Sequence, residues 1–177
     1  MDQNFTRSVL SWYDAGHRDL PWRRTKDAYR IWISEIMLQQ TRVEAVKPYF
    51  DRFMEVLPTV YDLAKVDDDR LMKLWEGLGY YNRARNLKAA AQTIVEEYGG
   101  QLPADYDKLL SLKGIGMYTA GAIGSIAFEL QVPAVDGNVL RVLTRLWGDD
   151  SDILKDKTKK AMGRRVMEFM PEDRPGD

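Results

Sequence analysis

The sequence has no cysteine and a single histidine, His17, in 177 residues. Without thiols there is no disulfide framework, no thiolate nucleophile, and no Cys-ligated zinc or iron–sulfur cluster within these residues. One histidine argues against a His-rich metal site and a Ser-His-Asp triad, so no metal-binding residue is assigned. No apolar run approaches the roughly 20 residues needed to span a bilayer, and no membrane partner is expected. The N-terminal MDQNFTRSVLSWYDAG carries acidic and polar residues where a secretory signal would have a basic segment and an apolar stretch. A cytoplasmic location is the expectation. An excess of either charge is also missing: 26 Lys and Arg face 27 Asp and Glu, a net charge of -1.

What is present is a globular composition, 45% hydrophobic and 30% charged. The length suits one domain, or two small lobes sharing a core. Charge is unevenly spread. Residues 18–52 hold eight bases against five acids, and residues 77–95 hold Arg83, Arg85 and Lys88 with no acid. Residues 51–76 reverse this, with seven acids against four bases. A solvated mixed surface accounts for such a pattern; so does a basic face for phosphates balanced by an acidic one.

The chain reads as helix after helix. Residues 27–41 carry Ile33, Met37 and Leu38 near one stripe. Pro48 suits the first turn of a helix ending before Pro58. Thr59 caps the next, and Asp67 to Asp69 cap another that Gly77 and Gly79 break. Asn82 to Tyr98 is a long helix stopped by Gly99-Gly100. Tyr106 to Leu112 is short, Gly114 and Gly116 make a tight turn, and Met117 to Glu129 is rich in small residues. Asn138 to Trp147 and Lys155 to Met170 complete an all-α arrangement. QVPAV is the best strand candidate and is too short. The closing MPEDRPGD reads either as a terminal loop or as a point where a longer chain was cut.

Leu112 to Ala120 (LKGIGMYTA) forms a helix–hairpin–helix pattern. Gly114 and Gly116 permit backbone conformations closed to other residues and leave no Cβ to obstruct a phosphate. The following helix N-terminus points its amides at an anion. An ordinary αα-hairpin with a glycine turn is the alternative. Two carboxylates stand out. Glu35, within the apolar WISEIMLQQT, is either an exposed residue on a polar face or a partly buried acid of raised pKa. Asp136, in VDGN, is a helix N-cap or a catalytic carboxylate. If both face one cleft, the pair suits glycosidic cleavage: an acid protonates the leaving group while a carboxylate stabilises an oxocarbenium-like sugar.

LPWR, SEIMLQQTRV, LWEGLGYYNRARNL, LKGIGMYTAGAI and VDGNVLRVLTRLWG occur in this order. Together, from about Ser11 to the end, they closely resemble the catalytic domain of MutY-type adenine DNA glycosylases, in the endonuclease III superfamily of helix–hairpin–helix glycosylases. The resemblance implies a six-helix barrel lobe over about 24–134, with the helix–hairpin–helix at 108–129. It implies that 1–23 and 135–177 form part of a second, incomplete helical lobe. It makes the chain the single catalytic core of a base-excision-repair enzyme acting on adenine opposite 8-oxoguanine or guanine. Double-stranded DNA is then the partner, the enzyme a monomer, and its setting the bacterial cytoplasm at the nucleoid. Glu35 matches the acid that protonates N7 of a flipped adenine, and Asp136 the carboxylate that stabilises the sugar. Tyr118 and Asn138 match positioning residues of the catalytic group. Arg18, Trp22, Arg23 and Leu38 match the adenine pocket. Gln40, Thr41 and Tyr80 fall in DNA-contacting motifs, with Gln40 and Tyr80 matching duplex wedges, and Lys113, Gly114 and Gly116 in the phosphate clamp. Core packing remains an alternative for Trp22 and for one tyrosine of GLGYY.

Position 118 bears on reaction type. Bifunctional relatives hold a lysine there that attacks C1′ and forms a Schiff base; Tyr118 cannot, so a monofunctional hydrolase without efficient lyase activity is implied. Lys113 sits on the turn, where a phosphate contact is more natural than nucleophilic attack. Leu140 stands where some relatives carry a lysine. Full-length family members add a four-cysteine [4Fe–4S] region and an 8-oxoguanine-recognition domain, both absent from these residues. The resemblance therefore implies a core cut just before the cluster, with no cofactor of its own. A glycosylase for another base, or a non-catalytic helix–hairpin–helix DNA-binding module, are the rival readings.

Overall fold

A computed structural model describes residues 3–177, and every described element is helical. The order is α1 (Gln3–Gly16), a 3-10 turn (Pro21–Arg23), α2 (Ala28–Leu38), α3 (Val43–Val56), α4 (Val60–Lys65), α5 (Asp68–Trp75), α6 (Asn82–Tyr98), α7 (Tyr106–Ser111), α8 (Met117–Phe128), α9 (Gly137–Trp147) and α10 (Asp156–Met167). Among the described residues no helix is long and apolar enough to cross a membrane.

Local chemistry sets many boundaries. Thr59 and Asp62 form a reciprocal capping box at α4, and the Asp67 carboxylate accepts from the amides of Asp69 and Arg70 at α5. Asp27 caps α2 by accepting from the Arg30 amide. Gly99, in the left-handed region, ends α6.

Three boundaries and one whole helix depart from the sequence pattern. Pro48 lies inside α3 rather than at its start. The helix begins at Val43, where the amides of Ala45 and Val46 bond the Arg42 carbonyl, and burial of Val46, Phe50 and Phe53 offsets the one missing amide. The α2 helix stops at Leu38 instead of reaching Thr41, leaving Gln39 to Thr41 as a turn. The last helix stops at Met167 instead of Met170. The N-terminal α1 was not signalled by local pattern. It is fixed from a distance: Phe5 packs edge-on against Phe169, and Thr6 donates to the Phe169 carbonyl at 2.7 Å.

The interior is in two parts. The larger cluster runs from Leu20 to Ile123 and includes the fully buried Trp32, Phe50, Phe53 and Trp75. At its centre lies α2, buried on nearly every face, as an apolar helix in a core must be. It packs most heavily on α8 and also on α3. The smaller cluster joins α9 and α10 through Leu140, Leu143 and Met162, with Trp147 and Phe169 alongside. The segment connecting the two parts lies directly on α8. A Cβ on Gly121 would stand 2.2 Å from the Pro133 carbonyl oxygen, so only glycine allows this approach.

Candidate active site

Glu35 sits near the C-terminal end of α2, flanked by the buried Ser34 and Ile36, with its own side chain partly buried and lining a cleft of about 930 Å³. Tyr118, in the first turn of α8, faces the same cleft from across the α2–α8 interface, with its hydroxyl acting on the carboxylate. Burial pushes the Glu35 carboxyl above the ordinary range, and the negative charge of Asp136 acts the same way; the Tyr118 hydroxyl and the Arg23 charge pull in the opposite direction without reversing it. The Tyr118 phenol is itself raised by burial and by Glu35, so it remains a donor.

Asp136 enters the cleft from the second part of the interior. It is the N-cap of α9, accepting from the Val139 amide at 2.8 Å, while the Asn138 side-chain amide donates to its other oxygen at 2.9 Å. Its capping role and its place beside Glu35 are therefore compatible, not alternatives. One oxygen anchors the helix, and the pair of hydrogen bonds fixes the carboxylate's orientation. The glycine of α8 described above is what lets the 130–136 segment bring Asp136 this close.

The cleft gathers Glu35, Asp136, Tyr118, Asn138, Arg18, Trp22, Arg23, Leu38, Gln40 and Thr41. Trp22 is both wall and core: it is 6% exposed and packs edge-on against Phe50 at 5.4 Å. Tyr80, Lys113, Gly114 and Gly116 lie outside the cleft. Tyr80 is 64% exposed, which removes the core-packing reading for it. Lys113 and Gly114 border a small cavity of about 40 Å³ with Trp32 and Arg83. Gly114 has φ +81, and a Cβ there would press on Asn86 at 2.8 Å. Gly116 has an ordinary φ of -95, but space beside it is open and α8 has no side-chain cap. The α8 amides are thus accessible to an anion. Leu140 is buried in the smaller cluster.

Sequence reasoning missed several wall residues. Lys26 pairs with Glu129 across the cleft, and Arg174 pairs with Asp14 and Asp177. Arg24 pairs with Asp19. The cleft is accordingly less basic than a count of cations suggests, with Arg18 and Arg23 holding no ion-pair partner among the described residues. Lys26–Glu129 and Arg174–Asp14 join residues 103 and 160 positions apart, so no local pattern marked them. A Cys-ligated cluster does not fit these residues, which contain no cysteine; among those described, no group of three or more His, Cys, Asp or Glu could hold a metal ion.

Three adenine DNA glycosylases are similar in sequence: that of Rattus norvegicus is 44% identical over 98% of this chain, that of Homo sapiens 43% over 98%, and that of Buchnera aphidicola subsp. Acyrthosiphon pisum 46% over 86%. The chain spans 35%, 33% and 44% of their respective lengths. A thermostable thymine-DNA glycosylase structure superposes with a TM-score of 0.89 at 30% identity, covering 98% of this chain and 80% of that one. A trapped endonuclease III–DNA covalent intermediate superposes with a TM-score of 0.80 at 24% identity, over 99% and 82%, and so shares the fold. Residues 33–169 match the family described as HhH-GPD superfamily base excision DNA repair protein, and the chain belongs to that family.

Proposed function

We propose that this chain is the catalytic core of a monofunctional DNA glycosylase that hydrolyses the N-glycosidic bond of adenine mispaired with 8-oxoguanine or guanine. The observation that carries it is the Glu35–Tyr118–Asp136 constellation: a raised-pKa acid and an oriented carboxylate facing one cleft. The similarity to adenine DNA glycosylases supports the choice of base.

The chemistry follows from the charges. Adenine leaves poorly as an anion, so a proton must reach N7 as the C1′–N9 bond breaks. The raised pKa of Glu35 keeps that proton available nearer neutrality, and a positioned acid contributes about 10²- to 10⁴-fold. Positive charge then develops on the deoxyribose, and Asp136, held by Val139 and Asn138, supplies a fixed negative charge against it. Water completes the displacement. A base inside the duplex cannot enter the cleft, so it must be flipped at a cost of a few kcal/mol, less at a mismatch. DNA is held without reading its sequence through the open α8 N-terminus at the hairpin.

The test is base release from a small panel of mismatched duplexes. Adenine should be lost opposite 8-oxoguanine or guanine. Glu35→Gln should abolish release, by at least about 10²-fold, while mismatch binding persists. Borohydride should trap no efficient covalent adduct, because position 118 offers a phenol and not an amine. Similarity to a thymine-DNA glycosylase favours one rival, which would instead release thymine opposite guanine. Binding with steep salt dependence and no base release would leave a DNA-binding module.

A further inference from the structure

Arg83, in the first turn of α6, faces an unusual set of partners. One of its Nη atoms lies 2.8 Å from the Ile36 carbonyl oxygen, 3.2 Å from that of Met37 and 2.5 Å from that of Gln39. The other lies 3.0 Å from the Leu78 carbonyl oxygen, 3.2 Å from that of Gly79 and 3.5 Å from the Thr41 hydroxyl. The guanidinium is flanked by the rings of Trp75 and Tyr80, at 5.4 and 5.7 Å from their centroids. A single cation thus ties the carbonyl end of α2, where a helix leaves acceptors unpaired and favours positive charge, to the loop that precedes α6.

Immediately beyond each tied loop carbonyl stands a residue in the left-handed region. Gln40 (φ 58) follows Gln39, and Tyr80 (φ 47) follows Gly79. Among the described residues, Glu129 is the one other non-glycine with positive φ. Both Gln40 and Tyr80 are exposed, so packing into the core does not impose these conformations. Such strain persists where surrounding contacts over-determine it, and it gathers at functional sites. The Gly79 carbonyl also accepts from the Trp75 indole N–H at 3.1 Å, and the Gln39 carbonyl from the Thr41 hydroxyl at 3.4 Å, but Arg83 is the side chain that bonds both loops at once.

We infer that Arg83 is a positioning residue which sets Gln40 and Tyr80 at one fixed spacing, as a two-pronged wedge that opens the base stack beside the cleft. This rests on the glycosylase reading above. Arg83 acts on base extrusion and takes no part in bond cleavage. Lysine cannot replace it: a point charge on a flexible stem cannot face two rows of carbonyls from one plane.

The experiment compares the chain with Arg83→Lys, with the pair Gln40→Ala and Tyr80→Ala, and with the triple variant. The first readout is fluorescence of 2-aminopurine placed beside a mismatched adenine, which rises when the stack opens. Arg83→Lys should reduce that rise by about tenfold, yet add nothing further in the background lacking both prongs, because coupled residues are non-additive. The second readout is single-turnover release of adenine from the mismatch and from an unpaired position, where extrusion costs little. The Arg83→Lys deficit should be confined to the stacked substrate. Additive loss in the triple variant, or equal loss on both substrates, would overturn the inference and leave Arg83 a structural residue. Should the lysine variant unfold, Arg83→Gln, which keeps a planar donor, is read in the same way. A chain that opens the stack but releases no adenine refutes the glycosylase reading alone, and the fluorescence cycle still decides the role of Arg83. A chain that does not open the stack refutes the wedge.

Discussion

Burial that makes Glu35 useful also makes it destabilising. In the unfolded chain its carboxyl ionises in the ordinary range, near pH 4; in the fold, burial moves it higher. The folded state therefore holds the proton more tightly. The associated stability is fully present below the unfolded pKa and is lost as pH rises through the folded one. Replacing Glu35 with Gln removes a buried charge at neutral and alkaline pH and changes little in acid. The expected outcome is a higher Tm for Glu35→Gln than for the parent at pH 8, by about 2–4 °C for each kcal/mol recovered. The difference should vanish near pH 4. Thermal melts across that range check it, and equal melting at pH 8 would show that the acid is solvated. The proposed proton-donating role carries the same sign: base release should fall as pH rises through the Glu35 pKa.

Elements impose geometry that no single residue sets. Gly121 shows how: its missing Cβ seats the 130–136 segment on α8, and that seat delivers Asp136 to the cleft. Gly121→Ala should push the Pro133 carbonyl outward, lowering stability by about 1–3 kcal/mol. It should also lower base release by more than the fraction unfolded explains, since an ångström of displacement at a reacting group is felt as rate. Denaturant titration beside single-turnover kinetics separates the two losses. The contrast between legible and illegible features lies at this same scale. The Thr59 capping box, the Asp67 cap, the Gly99 stop and the hairpin glycines were readable because each is satisfied within a few residues. Pro48 misled because a first-turn preference is statistical, while α3 is fixed by the buried faces of Val46 and Phe50. The α1 helix, the Lys26–Glu129 pair and the bonds from Arg83 to the end of α2 depend on chain segments far apart in sequence. The carboxylates could be singled out by setting, Glu35 among apolar neighbours and Asp136 before a helix. That they share a cleft is a tertiary fact.

The whole molecule is divided between interiors of unequal size. The larger one is closed by four fully buried aromatic residues, Trp32, Phe50, Phe53 and Trp75. The smaller one buries Leu140, Leu143 and Met162 and leaves an apolar groove of about 410 Å³ between α1, α9 and α10. Less apolar area removed from water means a lower free energy of local opening. The α9 and α10 amides should therefore exchange with solvent well before those of α2 and α8, as hydrogen exchange followed by mass spectrometry will show. Uniform protection across the chain would mean that the two interiors open as one unit.

This inequality reaches the chemistry through Asp136. Its backbone is seated on α8 through the 130–136 segment, but its carboxylate is oriented by the first turn of α9 and so depends on the weaker interior, whereas Glu35 and Tyr118 belong to the stronger one. On warming, Asp136 should separate from Glu35 and Tyr118 before the protein melts. Heat inactivation should be reversible over an interval in which the helical signal is nearly intact, with activity returning on cooling. On the glycosylase reading, the temperature ceiling of the reaction is then set by the small cluster around Leu140, Leu143 and Met162 and not by the stability of the whole molecule.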